Sequence, residues 1–329
     1  MRAVNNLLVL YTGGTIGMLE TPAGLAPAGG FDARMREHLS QSADAPQLNW
    51  SLRELDPLLD SANMQQANWL AMRDAIVEAV EHNGHDGVLV LHGTDTLAYS
   101  AAALSFLLLG LPVPVLLTGS MLPAGAPDSD AWDNLEGALR LFEQGLEDGV
   151  QLYFHGQLLH GARASKLRSE AFDAFKALAR HREGDKAGSM PGELDYRAPR
   201  QPVNLAVVPV FPGLQAQHLR ALLGSGVQGL LLECYGSGTG PSDDQGLVDA
   251  LRDARQRGVM IAAISQCPEG AVEFGTYAAG SRLRDTGLVS GGGMTREAAL
   301  GKMFALLGAG LDVQTAERWF ALDLCGERA

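Results

Sequence analysis

Thr15 stands directly behind two glycines, Gly13 and Gly14, at the end of an apolar run in "LLVLYTGGTIGML". Thr94 and Asp95 follow Gly93 at the end of a second apolar run, and Ser120 follows Gly119 at the end of a third. Glycine lets a ligand approach the backbone, and hydroxyls and exposed N–H groups beside it can attack or hold a carbonyl. A threonine hydroxyl is almost wholly protonated at neutral pH, so nucleophilic chemistry needs a base nearby. Asp95 is one usable partner, and a lysine pushed towards its neutral form by burial is another. Lys166, in "GARASKLRSEAFDAF", sits in a loop-like setting after an apolar run, although spacing alone does not separate it from the other lysines.

The glycines admit a second chemistry, a phosphate cradle. A dinucleotide site needs G-x-G-x-x-G with an acidic residue about 20 positions on. Gly13, Gly14 and Gly17 do not have that spacing, and no next strand ends in Asp or Glu at that distance. A P-loop needs a lysine that the stretch lacks. The nucleophile reading is the one left with support.

The elements that position these residues follow from hydrophobic patterning. Short apolar runs at Leu7–Tyr11, Val88–His92, Val113–Thr118, Val150–His155, Leu205–Phe211, Leu230–Cys234 and Val259–Ser265 read as strands. Helical stretches such as "NWLAMRDAIVEAVEH" and "AWDNLEGALRLFEQG" lie between them. That alternation predicts βαβ units around a buried parallel sheet. Ligands of such sheets bind beyond the carboxyl ends of the strands. Three of those ends here carry glycine followed by a small residue with a hydroxyl at or beside it.

A chain of 329 residues, 46% apolar and 19% charged, is long enough to divide its core between two domains. The stretch from Glu183 to Asn204, dense in Gly, Pro and charge, reads as the connection, giving an N-terminal domain over 1–187, a linker over 188–204 and a C-terminal domain over 205–329. A net charge of −13 opposes binding to nucleic acid or anionic membrane. Cys234, Cys267 and Cys325 are odd in number and widely separated, which suits a reducing, cytoplasmic location over a disulfide framework. The apolar stretch Leu97–Leu117 is broken by Gly110, Pro112 and Pro114 and reads as helix, turn and strand, not a membrane span. His82 and His85 read as a solvated loop pair, His92 as a packed strand-end residue, and "YGSGTGP" (Tyr235–Pro241) as a strand-end turn or an anion loop.

Taken together, "YTGGTIGM", "LHGTDTLAYSAAALSFLL", "LLTGSMLP", "SKLRSEAFDAF" and "GGGMTREAALGKM" closely resemble the bacterial-type asparaginase family, and within it the cytosolic type I enzymes. The resemblance runs over essentially the whole chain. It implies an α/β fold with a larger N-terminal flavodoxin-like parallel-sheet domain and a smaller C-terminal α/β domain, assembled as a homotetramer, a dimer of dimers with sites between subunits. It implies Thr15 as nucleophile, with Thr94, Asp95 and Lys166 as a hydroxyl–carboxylate–lysine group. Asp60, Ser61 and Ala62 then belong to the segment holding the substrate's α-carboxylate and α-amino groups. Gly14 and Gly93 line the site, and the Ser120 backbone faces the side-chain amide. The implied substrate is asparagine, and the implied cofactors and metals are none.

Two positions depart from the family pattern. Type I members carry a Gly-Tyr-x-Pro stretch in the loop after the first strand, whose tyrosine helps to activate the nucleophile. This chain has "GLAP", so Leu25 stands there, an apolar lid residue that cannot take a proton. Some type I members also bind asparagine at a regulatory site through an arginine before "SYG" and a Thr-Gln-Cys run. Here Glu233 precedes "CYG" and "SQC" ends at Cys267, and a glutamate would repel an effector carboxylate, so regulation is not carried over. Three other functions are weighed beside asparagine hydrolysis. They are a broader glutaminase-asparaginase, suggested by the small Ala62, a component of a tRNA-dependent amidotransferase, and a non-catalytic amino-acid-binding protein on the same scaffold.

Overall fold

The computed structural model describes residues 4–22, 24–179 and 184–328. Glu183, the first residue of the expected linker stretch, lies outside them. Contacts divide the chain into two compact units, Met1–Ala177 and Leu178–Ala329.

The first unit is built on a six-stranded sheet. Strand β1 (Leu7–Gly13) leads through a short hairpin, β2 (Leu19–Thr21) and β3 (Gly24–Ala26), and helix α1 (Phe31–Gln41) to β4 (Trp50–Leu59). Helix α2 (Gln66–Glu81), β5 (Gly87–Leu91), α3 (Leu97–Leu107), β6 (Pro114–Thr118), α4 (Ala131–Gln144), β7 (Gly149–Phe154) and β8 (Gln157–His160) follow. The order across the sheet is β4-β1-β5-β6-β7-β8. Neighbours from β4 to β7 run parallel, and β8 returns antiparallel to β7. Strands β1, β5 and β6 are buried at every residue, because parallel strands covered on both faces must be apolar throughout. Helix α3 is buried at every residue but Tyr99, which accounts for its lack of a polar stripe. A small antiparallel pair, β9 (Ala164–Lys166) and β10 (Phe175–Ala177), closes the unit.

The second unit has a four-stranded parallel sheet in the order β11-β12-β13-β14, formed by Leu205–Pro209, Gly229–Cys234, Met260–Ser265 and Val289–Ser290. Its helices are α5 (Ala216–Leu223), α6 (Gln245–Gln256), α7 (Ala278–Arg284), α8 (Arg296–Gly308) and α9 (Val313–Ala321). Glu233, near the end of β12, is paired with Arg296 through both carboxylate oxygens, one contact at 2.9 Å. It is therefore a balanced charge, not the bare repelling one expected from sequence. The "YGSGTGP" stretch forms a turn closed by a Tyr235–Thr239 bridge.

Lys302, on α8, is fully buried, and so is Glu327. The ammonium donates to Glu327 Oε1 at 2.5 Å and to the Phe320 carbonyl at 3.0 Å. Glu327 also accepts the N–H groups of Leu324 and Cys325, so the chain end hooks around the lysine. Burial pushes the Glu327 carboxyl up, but the Lys302 charge and these hydrogen bonds outweigh it and hold it at about 2. Glu327→Gln is expected to destabilise the protein by about 3–5 kcal/mol, since a buried ammonium loses its counter-charge. A carboxyl depressed below its ordinary 4.5 contributes stability above that value and loses it as pH falls towards 2. Urea melts of wild type and E327Q should thus differ most at neutral pH and converge through the range below 4.5.

Candidate active site

Positive φ angles and close backbone approach explain the paired glycines at the end of β1. Gly13 and Gly14 have φ of 109° and 84°. A Cβ on Gly13 would sit 2.3 Å from the Leu59 carbonyl oxygen, and one on Gly14 would sit 2.2 Å from the Gly93 nitrogen. The backbone leaving β1 therefore touches the backbone leaving β5 and the end of β4. A Cβ on Gly93 would fall 2.5 Å from Ser61 Oγ and 3.1 Å from Gly14 Cα. Thr15 and Thr94, each one residue further on, are brought to neighbouring positions by this contact.

Three hydrogen bonds hold the strand ends together. The Thr12 hydroxyl donates to the Leu91 carbonyl at 2.9 Å, the Gly14 N–H to the Leu59 carbonyl at 3.0 Å, and the Thr96 hydroxyl to the Ser61 carbonyl at 2.9 Å. Thr15 opens a single 3-10 turn, Thr15–Gly17, and is half-buried. The N–H groups of Thr15 and Thr94 donate to no backbone carbonyl among the described residues.

Lys166 arrives from β9. Its ammonium donates to Thr94 Oγ1 at 3.0 Å and to Asp95 Oδ1 at 2.9 Å. Thr94 is buried, while the Asp95 side chain is 63% exposed. An ion pair that open to water adds at most about 1 kcal/mol to stability, so its consequence is geometric: it aims the lysine at the threonine.

The remaining predicted residues fall into two groups. Ser61 is buried against Gly93, whereas Asp60 and Ala62 are exposed, with Asp60 Oδ1 accepting the Ala62 N–H at 3.1 Å. Ser120 is fully buried, and its hydroxyl donates to the Leu122 carbonyl at 2.5 Å. Leu25 lies on β3 opposite Glu20 and is 50% exposed. The expected lid loop thus contains a two-stranded hairpin. Its base is held at Gly17, whose carbonyl accepts from Arg34 at 3.0 Å, and at Ala28, whose carbonyl accepts from Tyr11 at 3.2 Å. Burial pushes the Tyr11 phenol up to about 12, so it serves as a donor and not as a base at neutral pH.

Sequence reasoning missed the supports of the loop after β6. Asp130 accepts the Met121 and Leu122 N–H groups, and Asn134 donates to the Gly119 carbonyl at 3.0 Å. Their i, i+4 spacing at the start of α4 was the available signal. His85, one of the two loop histidines, bonds Ser51 and the Ala79 carbonyl.

Fold and site together define a class: an α/β protein of two parallel-sheet units, the first presenting hydroxyl, carboxylate and amine groups beyond its strand ends, as nucleophilic chemistry on a small carbonyl compound requires. Residues 6–189 match the family model "Asparaginase, N-terminal" and residues 204–320 match "Glutaminase/Asparaginase C-terminal domain". The chain belongs to the asparaginase family. It is 33% identical to L-asparaginase 1 of Escherichia coli, over 98% of this chain and 97% of that one. The crystal structure of L-asparaginase I from Vibrio cholerae superposes with a TM-score of 0.85 at 31% identity, covering 99% of this chain and 100% of that one. A component of the glutamyl-tRNA(Gln) amidotransferase of Aeropyrum pernix is 33% identical over 81% of this chain, but only 66% of its own length is matched.

The glycine contact yields a direct comparison. Gly24 has φ 107° with nothing within 4 Å of a would-be Cβ, whereas Gly14 combines φ 84° with a clash against backbone. Gly24→Ala should cost only the strain of the left-handed conformation, about 1–2 kcal/mol. Gly14→Ala should cost a further 1–3 kcal/mol or so, since backbone cannot rotate aside. Paired urea melts measure the difference.

Proposed function

We propose that this protein is an amidohydrolase that converts L-asparagine to L-aspartate and ammonia through an acyl-threonine intermediate on Thr15. The observation that carries the reading is the Lys166–Thr94–Asp95 hydrogen-bonded group, one residue past the Gly14–Gly93 backbone contact that Thr15 also follows, where among the described residues the Thr15 and Thr94 N–H groups donate to no backbone carbonyl. The names of the full-length relatives support asparagine as substrate.

In this reading Thr15 Oγ attacks the side-chain amide carbon. Its proton passes to the departing nitrogen, which leaves as ammonia, and water then cleaves the acyl-threonine ester to aspartate and the free hydroxyl. The Thr15 and Thr94 N–H groups face the developing oxyanion, a contribution of roughly 10²–10³ in rate per donor. Lys166, through Thr94 and oriented by Asp95, is the proton relay, a role worth roughly 10²–10⁴. Asp60, Ser61 and Asp95 hold the α-carboxylate and α-amino groups, with Ala62 leaving room beside them. Leu25 is an apolar cover that excludes water without taking part in proton transfer. No cofactor enters the scheme. A cytoplasmic homotetramer belongs to the same reading, supported by the family resemblance; light scattering checks the assembly.

Ammonia release from asparagine and from glutamine by the purified chain separates this proposal from a glutaminase and from a binding protein. Thr15→Ala should keep its melting temperature within a few degrees and lose turnover, and intact-mass spectrometry of wild type mixed briefly with asparagine should show an acyl adduct absent from the variant. Lys166→Met should lower kcat by about 10²-fold or more with a smaller change in KM, as expected of a group acting in the transition state. A raised KM with kcat preserved would make Lys166 a binding residue.

A further inference from the structure

His92 follows the last residue of β5 and is fully buried. Its backbone N–H donates to the Thr118 carbonyl at 2.9 Å, tying the end of β5 to that of β6. Its ring lies between two partners: Nδ1 is 2.8 Å from the Gly93 carbonyl oxygen, and Nε2 is 2.8 Å from Ser100 Oγ on α3. Ser100 Oγ in turn lies 3.0 Å from the indole Nε1 of Trp69 on α2.

The direction of every bond in this chain follows from the groups themselves. A carbonyl oxygen only accepts, so Nδ1 carries the proton and donates to Gly93. In the neutral ring Nε2 is then an acceptor, and the Ser100 hydroxyl donates to it. An indole N–H only donates, and the Ser100 oxygen is its acceptor. Each group has one role and no proton is left over. Burial, which outweighs the opposing effect of the Gly93 bond, drops the imidazole to about 4, so the ring is neutral at physiological pH. Both nitrogens are engaged and the ring is closed to solvent, which rules out direct acid–base work on a substrate.

Gly93 is where this matters. Its neighbours leave no room for a side chain, and a glycine without one has the freest backbone of any residue. Something outside must therefore fix its peptide. The Gly93 C=O and the Thr94 N–H share one planar trans peptide and point in opposite directions, so holding the oxygen aims the N–H.

We infer that His92 is a positioning residue for the reaction: its Nδ1–H holds the Gly93 carbonyl and thereby aims the Thr94 N–H, and with it the start of the Thr94–Lys166 relay, at the substrate amide. The inference rests on the amidohydrolase reading for what the aimed group does, and on hydrogen-bond geometry alone for how it is aimed. The chain from Trp69 through Ser100 sets the ring's rotation.

Two substitutions separate the ends of the ring. An asparagine places an amide N–H near the Nδ1 position, within reach of Gly93, whereas a glutamine extends its amide towards the Nε2 position and Ser100. His92→Asn should retain kcat within about tenfold of wild type, and His92→Gln should lose about 10²-fold, as expected for a misaligned oxyanion donor, with KM changing by less than kcat in both. Equal losses in the two variants that simply follow their melting temperatures would make His92 a packing residue and overturn the inference. So would a folded His92→Gln with kcat near wild type. Nitrogen-15 spectra of histidine-labelled wild type supply a readout that needs neither turnover nor a variant. At pH 7 the buried ring should show the neutral Nδ1–H tautomer, and an Nε2–H or doubly protonated ring would overturn the positioning role. Absence of ammonia release from wild type, with that tautomer present, would fault the amidohydrolase reading and leave the aiming of Gly93 standing.

Discussion

The contact of bare backbone between Gly14 and Gly93 is the constraint from which the site is built. Neighbouring strands in a sheet lie about 4.8 Å apart, and the loops beyond their ends ordinarily splay, because side chains keep them apart. Here glycine on both sides removes the obstacle, and Thr15, Thr94 and Ser61 converge as a result. The same glycines are conformationally free, so bonds from elsewhere must restrain them. The Gly14 N–H to Leu59, the Thr12 hydroxyl to Leu91, and the His92 ring to Gly93 all serve that end. A site of this kind depends on its supports as much as on the residues that touch substrate.

Two lysine–carboxylate pairs illustrate how burial divides stability from geometry. Lys302 and Glu327 are both shut away from water, and the pair pins the chain end to α8. Lys166 is largely covered, at 19% exposure, while Asp95 remains open at 63%. In the exposed setting Coulomb attraction is screened and adds little to folding. What survives screening is direction: the ammonium stays within hydrogen-bond reach of Thr94 Oγ1. One pairing chemistry thus locks a buried corner of the second unit and, in the first, directs a lysine at a threonine hydroxyl.

Much of this architecture was legible as pattern. All seven apolar runs read as strands became strands, with ends moved by at most two residues; β1, β5, β6 and β12 are buried at every residue, and a parallel strand covered on both faces has no choice but continuous apolarity. Strand β4 was not legible. It is a sheet edge with most of its side chains partly or fully exposed, and its sequence "WSLRELDPLL" mixes charge and proline into the run. The short pairs β2–β3 and β9–β10 escaped for a related reason, since three-residue strands carry no periodicity. Glu233 shows the converse error: its charge was plain, but its partner Arg296, 63 residues away, was not.

The chain by itself determined the alternation of strand and helix, the placing of Thr15, Thr94, Asp95 and Ser120 just beyond strand ends, and membership of the family. These are local facts: side-chain type and near neighbours suffice to set them. Tertiary structure alone decided which distant groups meet. Lys166 reaches Asp95 across 71 residues of sequence, and Trp69, Ser100 and His92 line up only because α2, α3 and β5 pack side by side. Hydrogen bonds act over about 3 Å, and sequence separation holds no information on that scale until the chain has closed its loops and set its core.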